Sequence, residues 1–270
     1  MKRNVALSGS RPLALVTGAS SGLGAAFARR LAAQGHDLLL VARRLDRLER
    51  LASELAAQGV STQIVAADLA RSDGLVEVEA KIAAGRIVAV LVNAAGFGTR
   101  RRFAEIERDC TLAMIHLHVI APVALARAVL PKMIANRRGR IINVSSMAAL
   151  FASEHYVTYS ATKAYLNMFT EGLQAELKGT GVRAQIVCAG LTRTGFFDSP
   201  EFAAFKFQRV PDWMWMTPEA VVDEVLASDR PFLIPGRHNR MFVALLRTPV
   251  LGKVVGRTVE RLNEKLGGLY

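Results

Sequence analysis

Along this chain, short runs of consecutive apolar residues alternate with longer stretches in which apolar positions recur every three or four residues. A continuous run reads as a strand buried on both faces, and the longer spacing reads as a helix with one face on a core. Runs at 12–16, 36–42, 61–69, 87–92, 139–146, 182–187 and 231–236 therefore predict seven strands. Helical patterns separate most of them, among them 25–34, stopped by Gly35, then 106–135 and 158–178. Alternating strand and helix over this length predicts an α/β fold: one doubly wound, mostly parallel sheet with helices on both faces. No repeat, low-complexity tract or linker breaks the pattern, so residues 1–270 read as a single domain.

In such a sheet, ligands bind beyond the carboxyl ends of the strands. Gly18, Ala42 with Arg43, Asp68, Asn93, Ser146 and Gly190 stand at those ends and are expected along one edge. The first run leads into Thr17-Gly18-Ala19-Ser20-Ser21-Gly22-Leu23-Gly24 and then a helical pattern. Strand, glycine turn and helix together bring bare backbone and helix N-terminal amides to a pyrophosphate. The second run ends in Ala42-Arg43-Arg44, with no carboxylate for a ribose hydroxyl pair. Guanidinium suits a 2′-phosphate instead, so the expected cofactor is NADP(H) rather than NAD(H).

Tyr159 and Lys163 are four residues apart in a helical stretch, so both side chains reach the same small volume. A phenol holds its proton to about pH 10, and a nearby cation lowers that value toward the range a general acid or base needs.

Taken in order, the glycine turn, Asn93-Ala94-Ala95-Gly96, Ser146, and Tyr159 with Lys163 resemble the short-chain dehydrogenase/reductase family over roughly residues 12–236. The resemblance implies a Rossmann-like fold and an oxidoreductase moving a hydride between NADPH and the carbonyl of an apolar ketone or aldehyde, or the reverse. It implies Tyr159 as the proton donor, and Lys163 as the partner of the nicotinamide ribose that lowers the Tyr159 pKa. Ser146 would orient the carbonyl, with Ser145 as the alternative. On the cofactor side it implies Gly18, Ser20, Ser21, Gly22, Leu23 and Gly24 around the phosphates, and Asp68 and Leu69 at the adenine. Asn93, Ala94, Ala95 and Gly96 would line the adenine ribose side and brace the sheet. Gly190, Thr192 and Thr194 would face the carboxamide and pyrophosphate.

Three departures from the family pattern stand out. His118 occupies a position where an Asn often serves a proton relay; it either replaces that relay or is a buried, hydrogen-bonded histidine. Ala189 precedes Gly190 where the family usually has Pro. Ser21 stands where some NADP-using members carry a basic residue, leaving Arg43 and Arg44 to hold the phosphate unaided.

Residues 195–217 are the most aromatic part of the chain and are expected to form a substrate lid for a lipid-like, steroid-like or aromatic carbonyl compound. The alternative is that these aromatics close a small helix pair over the core. The net charge of +12 is weighted to a basic, amphipathic C-terminal tail at 237–270. That tail packs on its own subunit, lies on an anionic membrane as a peripheral contact, or meets a partner. Aromatics are not interleaved with the basic residues, so a nucleic-acid surface is not expected. Cys110, Cys188 and the five histidines show no metal-ligand or disulfide-framework spacing, which points to a reducing, cytoplasmic setting. The polar start of the chain has no signal-peptide core, and no uninterrupted apolar run reaches the ~18 residues of a membrane span. A homo-oligomer is expected from the resemblance. The rival function is a non-catalytic NADPH-binding regulator or scaffold, which the intact Ser146, Tyr159 and Lys163 oppose and His118 leaves open.

Overall fold

The computed structural model describes residues 11–152, 154–199, 202 and 210–246. Seven strands form one parallel sheet: β1 (Leu13–Thr17), β2 (Asp37–Ala42), β3 (Thr62–Ala66), β4 (Val88–Asn93), β5 (Gly139–Ser146), β6 (Val182–Ala189) and β7 (Phe232–Leu233). Their spatial order is β3-β2-β1-β4-β5-β6-β7, so the chain reverses direction across the sheet between β1 and β4. That switch point opens a crevice at the carboxyl ends of the two strands. Helices α1 (Gly22–Ala33), α2 (Leu45–Ala56), α3 (Ser72–Ala84), α4 (Arg108–Ile115), α5 (Ala121–Ala135), α6 (Val157–Glu176), α7 (Pro218–Leu226) and α8 (Arg237–Leu246) complete the fold.

Side chains alternate between faces along a strand, so each strand feeds two cores. Ala14, Val16, Leu38 and Leu40 meet Phe27 and Leu31 of α1, Leu48 and Leu55 of α2, and Val221 and Val225 of α7. Leu13, Leu15, Leu39 and Val41 face the other way, toward Val78 and Ile82 of α3, Leu125 and Val129 of α5, and Leu173 of α6. Burial on both faces explains why the strands are apolar throughout rather than alternating.

Three expected boundaries shift, each for a physical reason. β3 stops at Ala66, because the Asp68 carboxylate turns the chain by accepting the Ala70 N–H at 3.0 Å. β7 is two residues long, pairing only through Phe232 and Leu233, since the flanking Pro231 and Pro235 have no N–H for a ladder. The stretch 106–135 is not one α-helix: α4 and α5 are joined by a π-helical turn, His116–Ile120. By length and composition the continuous helical segment Arg108–Ala135 could cross a membrane, which differs from the expectation drawn from uninterrupted runs. Its apolar residues Leu125, Val129 and Met133 are instead packed in the core beneath the sheet.

Some of the positive charge has a structural use. Lys132 donates to Ala83 O at 2.9 Å, Arg137 to Gly179 O at 3.2 Å, and Arg140 to Val225 O at 2.7 Å. These cations satisfy carbonyls at helix C-terminal ends, where the dipole also favours them. The first ten residues of the predicted tail form α8, which docks on its own subunit. Asn239 is buried and donates to Pro235 O at 2.8 Å, and Arg240 pairs with Glu224 at 2.9 Å. The rest of the tail, 247–270, lies outside the described residues, as do 200, 201 and 203–209 of the expected lid.

Candidate active site

A cavity of about 380 Å³ runs along the carboxyl ends of the strands. At its floor is the turn after β1. Gly18 has φ +68, and a β-carbon there would meet backbone of Ala94 and Ala95 at 2.9 Å. Thr17 pins the same junction: its Oγ1 accepts the N–H of both Ala94 and Ala95 at 3.1 Å. Gly24 lets α1 approach, since a β-carbon would come within 2.3 Å of Gly18 O. The first turn of α1 carries no carboxylate, and Ser21 makes no side-chain cap bond there. The helix amides are therefore open donors at a positive dipole end, which fits the pyrophosphate of a dinucleotide.

One end of the cavity is cationic. Arg44 donates to Ser20 Oγ at 2.9 Å and to Ser21 Oγ at 2.8 Å. Burial and the neighbouring Arg47 and Arg43 hold its pKa below the usual arginine value, while Asp46 acts weakly against them. The carboxylate of Asp46 is paired with Arg50 at 2.7 Å. Ser21 thus seats Arg44 at the phosphate turn, where a basic residue at position 21 would otherwise stand. Arg43, Asp68 and Leu69 line this end too.

At the other end, Tyr159 and Lys163 rise from α6 and Ser146 from the end of β5. Lys163 is buried and donates from Nζ to Val144 O at 3.0 Å, with Nζ 5.9 Å from the Tyr159 ring centre. Ser146 acts on the Tyr159 hydroxyl, pulling its pKa down. Ser146 Oγ accepts the Ala148 N–H at 3.1 Å, and its own proton is the one turned toward the Tyr159 oxygen. Ser145 instead donates to Lys163 O at 3.2 Å, bracing β5 against α6. Tyr159 borders the cavity, but surrounding protein dominates its titration: burial pushes the phenol up to about 12, against the lowering pull of Ser146. Burial also brings Lys163 down to about 8. Desolvation, rather than the lysine charge, sets the direction of the shift on this phenol.

The wall beyond Tyr159 is aromatic. The Phe196 ring lies 5.8 Å from the Tyr159 ring and Tyr156 lies 6.3 Å from it. Phe202, fully buried, supports Phe196 at 5.4 Å and Phe197 at 5.3 Å. Ser199 also lines the cavity, and its Oγ is enclosed without a hydrogen-bond partner among the described residues.

A sequence model of the short chain dehydrogenase family matches residues 12–201. An uncharacterized oxidoreductase of Myxococcus xanthus is 37% identical over 194 residues, covering 69% of this chain and 76% of its own. Among solved structures, a short-chain dehydrogenase from Sphingobium yanoikuyae in complex with NADPH superposes with a TM-score of 0.77 at 30% identity, covering 94% of this chain and 95% of that one. The bulky-bulky ketone specific alcohol dehydrogenase from Comamonas testosteroni gives 0.75 at 29% identity, covering 95% of both chains.

This chain belongs to the short-chain dehydrogenase family. In this dehydrogenase, Gly18, Ser20, Ser21, Gly22, Leu23, Ala94, Ala95, Gly96, Ser146, Tyr159, Lys163, Gly190, Thr192 and Thr194 all line the one cavity. Three of the expected site residues stand behind it. Gly24 sets the helix-to-strand approach. Asn93 is buried and donates to Asn143 Oδ1 at 2.8 Å; Asn143 donates to Thr170 Oγ1 at 2.8 Å, and that hydroxyl to Leu166 O. This chain of bonds ties β4 and β5 to α6, so Asn93 braces rather than lines. His118 is enclosed beside Tyr159. Thr194 reaches over Gly22, where a β-carbon would sit 3.0 Å from the threonine Cβ.

Sequence reasoning missed Phe97, Tyr156 and Ser199. A signal existed for the first: in Gly96-Phe97-Gly98 a bulky ring sits between two small residues just past a strand end, and Gly98 is the point where Phe196 packs. Phe196 faces the cavity, whereas Trp215 packs with Phe197, Leu191 and Val210 in a small cluster of its own.

Proposed function

We propose that this dehydrogenase reduces the carbonyl of a bulky, apolar ketone or aldehyde at the expense of NADPH. The observation that carries the reading is that Tyr159, Ser146 and Lys163 line the same cavity as the glycine turn and Arg44. The glycine turn and the α1 amides would hold the pyrophosphate, and Arg43 and Arg44 a 2′-phosphate. Bound there, the dinucleotide supplies a hydride to the carbonyl carbon. Ser146 turns its proton from the Tyr159 oxygen to the carbonyl oxygen and orients it, and Tyr159 protonates that oxygen as charge develops on it. A phenol raised by burial carries at neutral pH the proton that carbonyl reduction consumes. Aromatic walls around Tyr159 exclude water and select a wide apolar substrate.

The NADPH-bound structural relative and the bulky-ketone alcohol dehydrogenase support cofactor and substrate class respectively. A non-catalytic role has no feature in its favour, since Ser146, Tyr159 and Lys163 are all present at the cavity. Self-association through α6 is part of the reading: Val157, Tyr165 and Met168 form an exposed apolar stripe on one helix face. So are a cytoplasmic location and a peripheral membrane contact through the C-terminal tail at 237–270.

The test is a panel of small and bulky ketones and aldehydes with NADPH and NADH, run beside Tyr159→Phe. Reduction of bulky ketones with NADPH, falling by about 10²-fold or more in the variant, is expected. Equal rates for wild type and variant across the panel overturn the reading.

A further inference from the structure

The helix between β4 and β5 loses its α-helical register beside Tyr159, and the residue at the centre of that π-helical turn is His118, only 1% exposed. Single π turns inside α-helices recur at functional sites because they swing one side chain out of its regular direction. Here the imidazole lands between three parts of the site. Its Nε2 lies 3.2 Å from the Phe97 backbone nitrogen and its Nδ1 lies 3.1 Å from Thr162 Oγ1. The ring stands edge-on to Tyr159 at 5.7 Å and tilted to Phe97 at 5.9 Å. A β-carbon on Gly96 would come within 3.1 Å of Nε2 and 3.7 Å of Lys163 Nζ.

Partner chemistry assigns the tautomer. The Phe97 N–H can only donate, so Nε2 is the bare acceptor nitrogen. Thr162 already gives its hydroxyl proton to Tyr159 O at 2.8 Å, so it must accept from Nδ1–H. Both ring nitrogens are therefore engaged with protein, and a proton could pass through the ring only after one of these bonds broke. Protonating Nε2 would also expel the Phe97 N–H and set a second cation beside Lys163. Consistent with this, burial first and the Lys163 charge second hold the imidazole well below its ordinary pKa.

We infer that His118 is a positioning residue: a fixed-tautomer imidazole that fastens the Gly96–Phe97 wall of the cavity to helix α6 through Thr162, and carries no proton to or from Tyr159. Loop and helix both line the cavity, one through Gly96 and Phe97 and the other through Tyr159 and Lys163. The hydrogen bonds set the reach between them. The statement about catalysis rests on the carbonyl-reductase reading; the statement about the ring does not.

Two experiments separate these. In 15N-labelled full-length protein, the long-range proton–nitrogen spectrum of the histidine ring is expected to show Nδ1–H with a bare Nε2, unchanged between pH 6 and 8 and on adding NADPH. A ring that titrates in that window, or that carries its proton on Nε2, overturns the inference whether or not any ketone is reduced. The second is kinetic, with His118→Leu, His118→Asn and His118→Gln. Loss of the brace in His118→Leu is expected to lower kcat on the order of 10- to 100-fold, the scale of a misplacement near one ångström. The pH profile and the solvent deuterium isotope effect should keep their wild-type form. Asn and Gln, which can accept and donate, should recover most of the lost turnover. A changed pH profile or isotope effect in folded Asn or Gln variants overturns the inference in favour of a relay.

Discussion

Arg44 reaches across the glycine turn to Ser21, with its guanidinium 2.8 Å from the serine hydroxyl, and among the described residues its polar grip comes from this phosphate loop, Ser20 included. A guanidinium anchored on neutral hydroxyls keeps its full charge for an incoming anion. Arg44→Ala should weaken NADPH binding by about 10- to 100-fold, the worth of one or two charge-assisted hydrogen bonds at roughly 1.5–3 kcal/mol. NADH, which lacks the 2′-phosphate, should lose less than about threefold. Titrating each dinucleotide by quenching of protein fluorescence checks this, and an equal loss for both would remove Arg44 from the phosphate site.

Tyr159 and Lys163 share a burial that moves both groups away from ionisation. The ultraviolet titration of the ligand-free protein should show Tyr159 among the last phenols to ionise, near the value of about 12. The difference between wild type and Tyr159→Phe isolates it. A Tyr159 signal below pH 9 contradicts the burial argument.

Lys163, brought down to about 8 from 10.5, carries a stability cost with a definite sign. A cation whose folded pKa is depressed is fully tolerated only above its unfolded pKa of 10.5, and stability is lost as pH falls from there toward 8. At pH 7 the wild type therefore bears about 3 kcal/mol, offset by roughly 1 from the bond to Val144 O. Lys163→Met should be more stable at pH 7 by roughly 2 kcal/mol, about 4–8 °C in Tm, while losing turnover. The gain should vanish above about pH 10.5. Calorimetry at pH 7 and pH 10.5 tests this; a lower Tm at pH 7 would refute it.

His118 gives the same sign at lower pH. Among the described residues, the titratable groups facing its ring are Tyr159 and Lys163, both from α6. Its depressed folded pKa means the stability is complete above 6.5, and declines as pH falls below that value and the unfolded chain takes up the proton. His36, also lowered by burial, adds to the slope and stays in place. Urea unfolding from pH 7.5 to 5 should show a shallower acid decline in His118→Gln than in wild type. Parallel curves would mean the imidazole is free to protonate.

Against the aromatic wall, Ser199 carries an enclosed hydroxyl with no partner among the described residues. Removing such a group relieves a desolvation cost, so Ser199→Ala should raise stability by roughly 1 kcal/mol. Turnover of a monofunctional bulky ketone should be unchanged within about twofold, and a larger fall would show that the hydroxyl binds the substrate.

The strand and helix order was legible because burial on both faces forces continuous apolar strands, a pattern that survives without any tertiary information. The glycine turn, Arg43 and Arg44, and the pairing of Tyr159 with Lys163 were legible for a related reason: strand ends and helix periodicity place them by local geometry alone. Ser145 and Ser146 could not be separated in the same way. Adjacent strand residues point to opposite faces, and which face carries the cavity depends on α6 lying over β5. The two readings of His118 were equally open, since the π turn that aims its ring depends on what the surrounding elements leave free.

The amino-acid order alone determined the alternating architecture, the dinucleotide turn and the residue types that can exchange a proton, because these rest on periodicity and on chemistry within a few positions. Tertiary structure decided their protonation. How far burial raises a phenol depends on how much water the packed sheet and helices leave around it. It also decided that Asn93 and His118 brace the site from behind, since hydrogen-bond partners brought from distant segments are set only when the chain has closed on itself.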